Sequence, residues 1–305
     1  MRKIAFLFPG QGAQYVGMGK DFYDTYEVCK NTYELASEAS GLDVAKLCFE
    51  ENEQINITEY TQIAMLATEV AILRAVEEFG IKADVTAGLS LGEYGALAAA
   101  GVMNDKDLFY TIRKRGIFMQ EAVPTGGAMS AVLALDTETI EKICEETPGQ
   151  VSIANYNCPG QIVITGEAEA VKAAGEALSA AGAKRVIPLN VSGPFHSPLL
   201  TNAGDRLAGV LENITINKPA IPYLANVTAD YVTDSALVKD LLSKQVASSV
   251  RWQQSVEKMI EDGIDTFIEI GPGKTLSGFM KKINREVTVL NIEKVEDLEK
   301  LESIK

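Results

Sequence analysis

Short apolar runs alternate along this chain with longer stretches that carry apolar residues at helical spacing. Residues 3–8 have the pattern of a buried strand, residues 62–79 keep their apolar positions on one helical face, and Gly80 ends that helix. A second short strand pattern at 84–87 leads into an Ala-rich helix from Glu93 to Ala100. Strands and helices in this order predict an α/β fold with a mostly parallel sheet.

The pattern changes between residues 126 and 191. Four strands are predicted at 128–135, 150–155, 161–165 and 184–189, with helices at 137–146 and 167–182. The order βαββαβ is that of a ferredoxin-like unit. We therefore expect a ferredoxin-like subdomain at 126–191, inserted into a core that is formed by residues 1–125 and 192–305.

Outside the insertion, a helical pattern spans residues 105–120, and strand patterns return at 222–227, 266–270 and 287–292. The polar run from Asn155 to Gly160 has the composition of a tight connection between two strands. From Glu293 onward, charged and apolar residues alternate, which predicts an exposed helix.

The segment from Gly88 to Gly92 lies where a strand pattern passes into a helix pattern. It has the form G-x-S-x-G, with Ser90 at its centre. In a nucleophile elbow of this form, the small flanking residues allow a tight turn that exposes the serine hydroxyl at a helix N-terminus. A Gly-rich turn without chemistry has the same pattern, so the motif alone leaves both interpretations open.

Composition narrows the choice of chemistry. The chain has 305 residues, with 28 basic against 42 acidic side chains and a net charge of −14, which argues against nucleic acid or an anionic membrane as a partner. The four cysteines are scattered without a C-x-x-C pair, so no metal site or disulfide framework is indicated, and a reducing cytoplasm is the expected location. No apolar run reaches membrane-spanning length.

Three further residues are candidates for the chemistry of Ser90. His196 is the only histidine in the chain, so it is the only imidazole that can serve as a base for a serine nucleophile. Gln11 lies in a Gly-rich loop after the first strand, which is either a plain turn or a source of a backbone N–H for an oxyanion hole. Arg115, beside Gly116, has the planar fork that binds a carboxylate, whereas a basic helix face is usually only solvated.

Six motifs together resemble one family over nearly the whole chain, in the right order and spacing. They are FPGQGAQ (8–14), GLSLGE (88–93), RG (115–116) followed by Met119-Gln120, NCPGQ (157–161), GPFHS (193–197) and GPGK (271–274). The family is the malonyl-CoA:acyl carrier protein transacylases. The resemblance implies an α/β-hydrolase-like core with a ferredoxin-like insertion, an active site between them, and a monomer without a cofactor or metal.

The resemblance also implies roles for individual residues. Ser90 matches the nucleophile and His196 its general base in a ping-pong transfer of malonate from coenzyme A to the carrier-protein thiol. The backbone N–H groups of Gln11 and Leu91 match the oxyanion hole. Gln245 matches the residue whose backbone carbonyl orients the histidine, where hydrolases use a carboxylate.

Two more positions concern the acyl group, and one departs from the family. Arg115 matches the arginine that pairs with the malonate carboxylate, and Phe195 matches members that prefer malonyl over larger acyl groups. Leu89 stands where the family usually has histidine before the serine, which is expected to change the surroundings of Ser90 but not the mechanism.

Three functions stay open from the sequence. The leading one is malonyl transfer to acyl carrier protein for fatty-acid synthesis, or in trans for a polyketide pathway. A serine acyl hydrolase and a non-catalytic carrier-protein docking module are the alternatives. Because carrier proteins are acidic, docking is expected at a local basic patch. The candidates for this patch are Lys184, Arg185, Lys274, Lys281, Lys282 and Arg285.

Overall fold

The computed structural model describes residues 2–305 and contains two separate β-sheets. The strands, numbered in chain order, are β1 (Ile4–Phe8), β2 (Val85–Gly88), β3 (Gly127–Leu133), β4 (Val151–Cys158), β5 (Gln161–Glu167), β6 (Arg185–Pro188), β7 (Tyr223–Ala225), β8 (Asp230–Val232), β9 (Thr266–Ile270) and β10 (Thr288–Ile292).

The α-helices lie between and around these strands. They are α1 (Lys20–Thr25), α2 (Glu27–Ser40), α3 (Val44–Phe49), α4 (Thr58–Glu78), α5 (Gly92–Ala99), α6 (Asp105–Ala122), α7 (Thr137–Glu146), α8 (Ala168–Ala180), α9 (Thr201–Leu211), α10 (Val238–Gln245), α11 (Trp252–Glu261) and α12 (Thr275–Ile283). Short 3-10 segments occur at Gln54–Asn56, Pro198–Leu200, Ser235–Leu237 and Val295–Ile304.

The larger sheet has six strands in the order β10-β9-β1-β2-β7-β8. All neighbouring pairs are parallel except β7 with β8. The predicted α/β fold with a mostly parallel sheet is therefore confirmed. β2 is an interior strand of this sheet. The turn that follows it lies at the carboxyl edge of the sheet, where α/β proteins place their ligands.

The smaller sheet is antiparallel, in the order β4-β5-β3-β6. Its side chains alternate between two cores, as the strand period requires. Val132 and Ile164 face α7 and α8, whereas Met129, Ala131 and Val163 join the main core. A single parallel bridge between Asn155 and Val250 links this sheet to the loop before α11.

Several element boundaries differ from the sequence-based prediction. The helix expected at 62–79 begins one turn earlier, at Thr58. β4 extends to Cys158, so only Pro159 and Gly160 of the polar run predicted as a connection form the turn to β5. The C-terminal segment, predicted as an exposed helix, is a 3-10 helix with one buried face. Leu298, Leu301 and Ile304 form that face. The alternation of charged and apolar residues marked one covered face, which the prediction missed.

None of the helices formed by residues 2–305 combines the length and the apolar composition needed to span a bilayer.

The turn after β2 depends on close backbone packing that only glycine permits. A Cβ atom at Gly88 would lie 1.9 Å from the carbonyl oxygen of Gly92, and one at Gly92 would lie 2.2 Å from the carbonyl oxygen of Phe8. Both contacts are with backbone, which cannot move aside as a flexible side chain can. Gly88 is thus required by the packing of the turn on the start of α5, and Gly92 by its packing on the end of β1.

We expect Gly88→Ala to lower the free energy of unfolding by about 3 kcal/mol or more, because overpacking against backbone has no rotamer that relieves it. Urea denaturation measures this loss. Gly209→Ala is the matched control, since a Cβ at that exposed position of α9 meets no atom within 4 Å and alanine favours helix. The control should be stabilised by up to about 1 kcal/mol. Equal stability of Gly88→Ala and the native protein would contradict the packing argument.

Candidate active site

Ser90 occupies a sharp turn between β2 and α5. Its φ angle is 55°, in the left-handed backbone region that residues other than glycine rarely adopt. Such a conformation costs roughly 1–2 kcal/mol and persists only where the surrounding structure enforces it. The strained turn places the Ser90 hydroxyl in a cavity at the N-terminus of α5.

His196 is the immediate partner of the Ser90 hydroxyl. Its Nε2 lies 2.7 Å from Ser90 Oγ, and its Nδ1 lies 3.0 Å from the backbone carbonyl oxygen of Gln245. A carbonyl oxygen can only accept, so Nδ1 must carry the ring proton and Nε2 must accept from the serine. This tautomer is the one required for a general base.

The surroundings keep His196 in its neutral form. Burial, and after it the positive charge of Arg115, together lower the pKa of His196 to about 4. The histidine is 4% exposed. A pKa this far below the ordinary value leaves the imidazole unprotonated, and therefore able to accept the serine proton, throughout the neutral range.

Arg115 enters the same cavity from α6 and is 1% exposed. Its Nη2 donates to Ser90 Oγ at 3.2 Å and to Gln245 Oε1 at 3.0 Å. Its Nη1 donates to Gln62 Oε1 at 2.6 Å. Within residues 2–305, Arg115 forms no salt bridge. A buried guanidinium held by neutral amides beside a serine hydroxyl is arranged to receive an anion.

Two backbone N–H groups predicted to hold an oxyanion border the cavity. Gln11 follows β1, and its side chain donates to Thr58 Oγ1 at 3.1 Å, which fixes the loop. Leu91 follows Ser90 directly, at the start of α5. Neither N–H donates a hydrogen bond to another atom of residues 2–305, so both remain available to a ligand.

The cavity has a volume of about 320 Å³ and lies between the two sheets. Its apolar wall comes from the small sheet, from the turn after β2, from α6 and α12, and from the loop that follows β6. The apolar lining residues include Leu89, Met119, Met129, Ala131, Val163, Leu189, Phe195, Leu276 and Phe279. Phe195, predicted to bear on acyl specificity, thus lies in the wall, as does Leu89 at the position that departs from the family motif. Asn155, Asn157 and Gln161 add polar groups from β4 and β5.

Sequence reasoning missed three polar residues that support the site. Gln62 was interpreted as the start of a core helix, yet it holds Arg115. Asn226 accepts from the Ser90 N–H at 2.7 Å and donates to the Gly88 carbonyl at 2.7 Å. Glu93 accepts from the Asn226 N–H at 3.0 Å. Asn226 directly follows β7, and a polar residue at the carboxyl end of a parallel strand was the available signal.

Comparison with known proteins agrees with this geometry. Residues 5–301 match the family model of the acyl transferase domain. The malonyl CoA-acyl carrier protein transacylase of Bacillus subtilis (strain 168) is 46% identical over 304 residues, which are 98% of this chain and 96% of that protein.

Solved structures give the same result. The malonyl CoA-acyl carrier protein transacylase from Clostridium perfringens superposes with a TM-score of 0.95 at 48% identity, covering 99% of this chain and 96% of that one. A complex of a type II PKS acyl-carrier protein with its malonyl-transacylase matches with a TM-score of 0.96 at 40% identity, covering 99% of this chain and 100% of that one. The chain therefore belongs to the malonyl CoA-acyl carrier protein transacylase family of acyltransferases.

The lowered pKa of His196 predicts an unusual pH dependence of serine reactivity. The neutral base is present above about pH 4 and is lost only as the pH falls through that value. The rate at which phenylmethylsulfonyl fluoride inactivates the free enzyme should therefore be nearly the same at pH 5.5 as at pH 8. A histidine with an ordinary pKa of about 6.5 would lose roughly tenfold over that interval. His196→Ala should react slowly at every pH, and a midpoint near 6.5 in the native protein would refute the prediction.

Proposed function

We propose that this chain transfers the malonyl group from malonyl-CoA to the phosphopantetheine thiol of acyl carrier protein, through a malonyl-Ser90 intermediate. The observation that carries the proposal is the placement of Arg115, whose guanidinium lies 3.2 Å from the Ser90 hydroxyl oxygen. The reacting acyl carbon and a carboxylate two bonds away can then be held by one serine and one arginine. The names of the relatives support the same substrates.

The first half-reaction follows from the Ser90–His196 contact. Ser90 Oγ would attack the thioester carbonyl carbon while its proton passes to His196 Nε2. The N–H groups of Gln11 and Leu91 would hold the negative oxygen of the tetrahedral intermediate. The C–S bond then breaks, His196 returns the proton to the departing sulfur, and coenzyme A leaves as a thiol.

The second half-reaction reverses these steps with a different thiol. The phosphopantetheine thiol gives its proton to His196, and its sulfur attacks the malonyl-Ser90 carbonyl carbon. When the C–O bond breaks, His196 returns the proton to Ser90 Oγ. Gln245 contributes its backbone carbonyl, which holds His196 in the required tautomer during both steps. Transfer between two thioesters needs no redox or metal chemistry, so we propose that no cofactor takes part.

Malonate selection would come from Arg115 and the cavity wall. An incoming carboxylate would accept from the guanidinium in a low-dielectric site, where a charge-assisted pair is strong. Phe195, which is 6% exposed, would limit the space beside the acyl group and disfavour branched acyl groups. A serine acyl hydrolase would have a carboxylate behind the histidine, where His196 contacts the Gln245 carbonyl, and this difference favours the transferase.

We also propose the division of the chain into an α/β-hydrolase-like core of residues 1–125 and 192–305 and a ferredoxin-like subdomain of residues 126–191; Met1 lies outside the described residues. The strand order β4-β5-β3-β6, with α7 and α8 on one face, supports the second assignment.

We further propose that the protein is a monomer in a reducing cytoplasm. All four cysteines are free thiols, as expected in such a compartment.

The carrier protein would dock on the basic patch named from the sequence. All six side chains are exposed, and none of them forms a salt bridge with a residue in the range 2–305. α12 carries Lys281 and Lys282 and also lines the cavity through Leu276 and Phe279. Lys282 donates to Gln161, which lies across β3 from Arg185 on the small sheet. α12 and the small sheet thus contact each other beside the cavity, and each carries part of the patch.

Fatty-acid and polyketide pathways use the same transfer. Relatives from bacteria with the transacylase name favour fatty-acid synthesis, and the PKS carrier-protein complex shows that a close structural relative serves a polyketide carrier. Competition between the two kinds of carrier protein for the malonyl-enzyme, with equal starting concentrations, would decide between them. We expect the fatty-acid carrier protein to be used preferentially.

Removal of the proposed carboxylate clamp should change acyl selectivity. In Arg115→Ala, kcat/KM for malonyl transfer should fall about 100-fold or more, because a buried ionic hydrogen bond is lost, whereas acetyl transfer should change little. Transfer to carrier protein from the two acyl-CoA substrates measures this ratio.

Arg113→Ala is the matched control for that experiment. Arg113 is two residues away and pairs with Glu59, but it does not line the cavity. Its removal should leave the malonyl-to-acetyl ratio unchanged. If Arg115→Ala lowered both transfers equally, the arginine would be structural and the proposed substrate class would fail.

Charge reversal of all six patch residues should raise KM for carrier protein about tenfold or more in the second half-reaction, because an acidic partner is no longer steered to the cavity. The measurement starts from enzyme already loaded with malonate, so coenzyme A binding does not enter. A control that reverses six exposed lysines elsewhere (Lys20, Lys46, Lys82, Lys106, Lys142 and Lys218) has the same net charge. Equal KM values for both variants would show that net charge, and not this patch, matters.

A further inference from the structure

The side-chain amide of Gln245 joins three parts of the site. Its Oε1 accepts from Arg115 at 3.0 Å. Its Nε2 faces three oxygens, namely Ser90 O at 2.9 Å, Glu93 Oε2 at 2.7 Å and Asn226 Oδ1 at 3.2 Å. The same residue uses its backbone carbonyl for His196. The position of Arg115 therefore depends on which way this buried amide points.

The two orientations of the amide are not equivalent. If oxygen and nitrogen exchanged places, the oxygen would face three acceptors and the NH₂ group would face the Arg115 donor. Glu93 makes the shortest of the three contacts and is the carboxylate among them. Each of the three oxygens also accepts a backbone N–H, Asn226 Oδ1 from Ser90, Ser90 O from Glu93 and Glu93 Oε2 from Asn226, so the distance and the carboxylate character distinguish Glu93. Glu93 is thus the strongest constraint on the amide.

Glu93 is itself held rigidly. It lies in the first turn of α5, three residues after Ser90, and is 1% exposed. Its Oε2 accepts from the Asn226 N–H as well as from Gln245, so two donors converge on one oxygen. The other oxygen, Oε1, has no partner among residues 2–305. Oε1 can carry a proton while Oε2 goes on accepting, so the constraint holds in either protonation state.

We propose that Glu93 is a positioning residue for malonate selection: by fixing the Gln245 amide, it directs the amide oxygen to Arg115 and holds the guanidinium beside Ser90. Glu93 touches neither the substrate nor the reacting atoms, and it acts through Gln245. This inference rests on the proposed transfer reaction, in which Arg115 binds the malonate carboxylate. The Gln245 backbone is set by the end of α10, so the contact with His196 does not depend on Glu93.

Two substitutions test this role. Glu93→Met keeps most of the volume but removes the acceptor, so the amide is released. The ratio of malonyl to acetyl transfer should fall about tenfold or more, chiefly through KM for malonyl-CoA, because Arg115 loses one of its two glutamine partners and keeps only Gln62. Glu93→Gln can present its amide oxygen to both donors and should keep the ratio within about threefold of the native value. If Glu93→Met does not fold, Glu93→Ala removes the same acceptor with a smaller side chain.

Glu69→Gln is the control for the loss of a buried carboxyl group. Glu69 is fully buried on α4, and neither of its oxygens has a partner among residues 2–305. It does not line the cavity, and its substitution should leave the ratio unchanged.

If Glu93 had only a structural role, its substitution would lower both transfers equally, together with the melting temperature. That result would refute the inference. Equal loss of the ratio in Glu93→Met and Glu93→Gln would also refute it, since charge and not orientation would then matter. Absence of malonyl transfer by the native protein would instead overturn the proposed function.

Discussion

The site depends on one buried cation. The Arg115 guanidinium is nearly inaccessible to water and is held by two neutral glutamine oxygens and the Ser90 hydroxyl. Isolating a charge from water is costly unless its donors are satisfied, so the partners of Arg115 determine which residues the surrounding elements must supply. Gln62 comes from α4, Gln245 from α10, and Ser90 from the turn after β2. The buried cation thus ties α4 and α10 to the turn that carries Ser90.

The same cation affects His196, the proposed base. Burial is the larger cause of the low pKa of His196, and the charge of Arg115 adds to it. A carboxylate beside Nδ1 would raise the pKa of His196 and so oppose both burial and the charge of Arg115. Nδ1 instead contacts the backbone carbonyl of Gln245, which orients the ring without adding negative charge. Glu93 is the nearby carboxyl group, and burial raises its pKa to about 7. Its oxygen is directed at Gln245 and Asn226, so it supports the amide network rather than the imidazole.

The sequence predicted those parts of the molecule whose signal is local. The parallel sheet, the elbow at Ser90 and the elements of the small sheet follow from periodicity and turn chemistry within short windows. His196 followed from being the only imidazole, whereas Gln245 and the role of Arg115 required family resemblance. Glu93, Asn226 and Gln62 were missed because their partners are between 53 and 152 residues away, and no local pattern encodes such pairing. The buried face of the C-terminal segment was missed although Leu298, Leu301 and Ile304 carry a local signal, their regular spacing.

Under the proposed reaction, a weak base explains why the acyl group reaches a thiol rather than water. The pKa of His196 is about 4. A base of that strength takes a proton far more readily from a thiol, with a pKa of about 8.5, than from water, with a pKa of about 15.7. A hydrolase strengthens its histidine with a carboxylate because it must activate water. The carbonyl of Gln245 provides only the orientation, and the buried arginine weakens the base further. The arrangement that binds malonate would therefore also protect the malonyl-serine intermediate until a second thiol arrives.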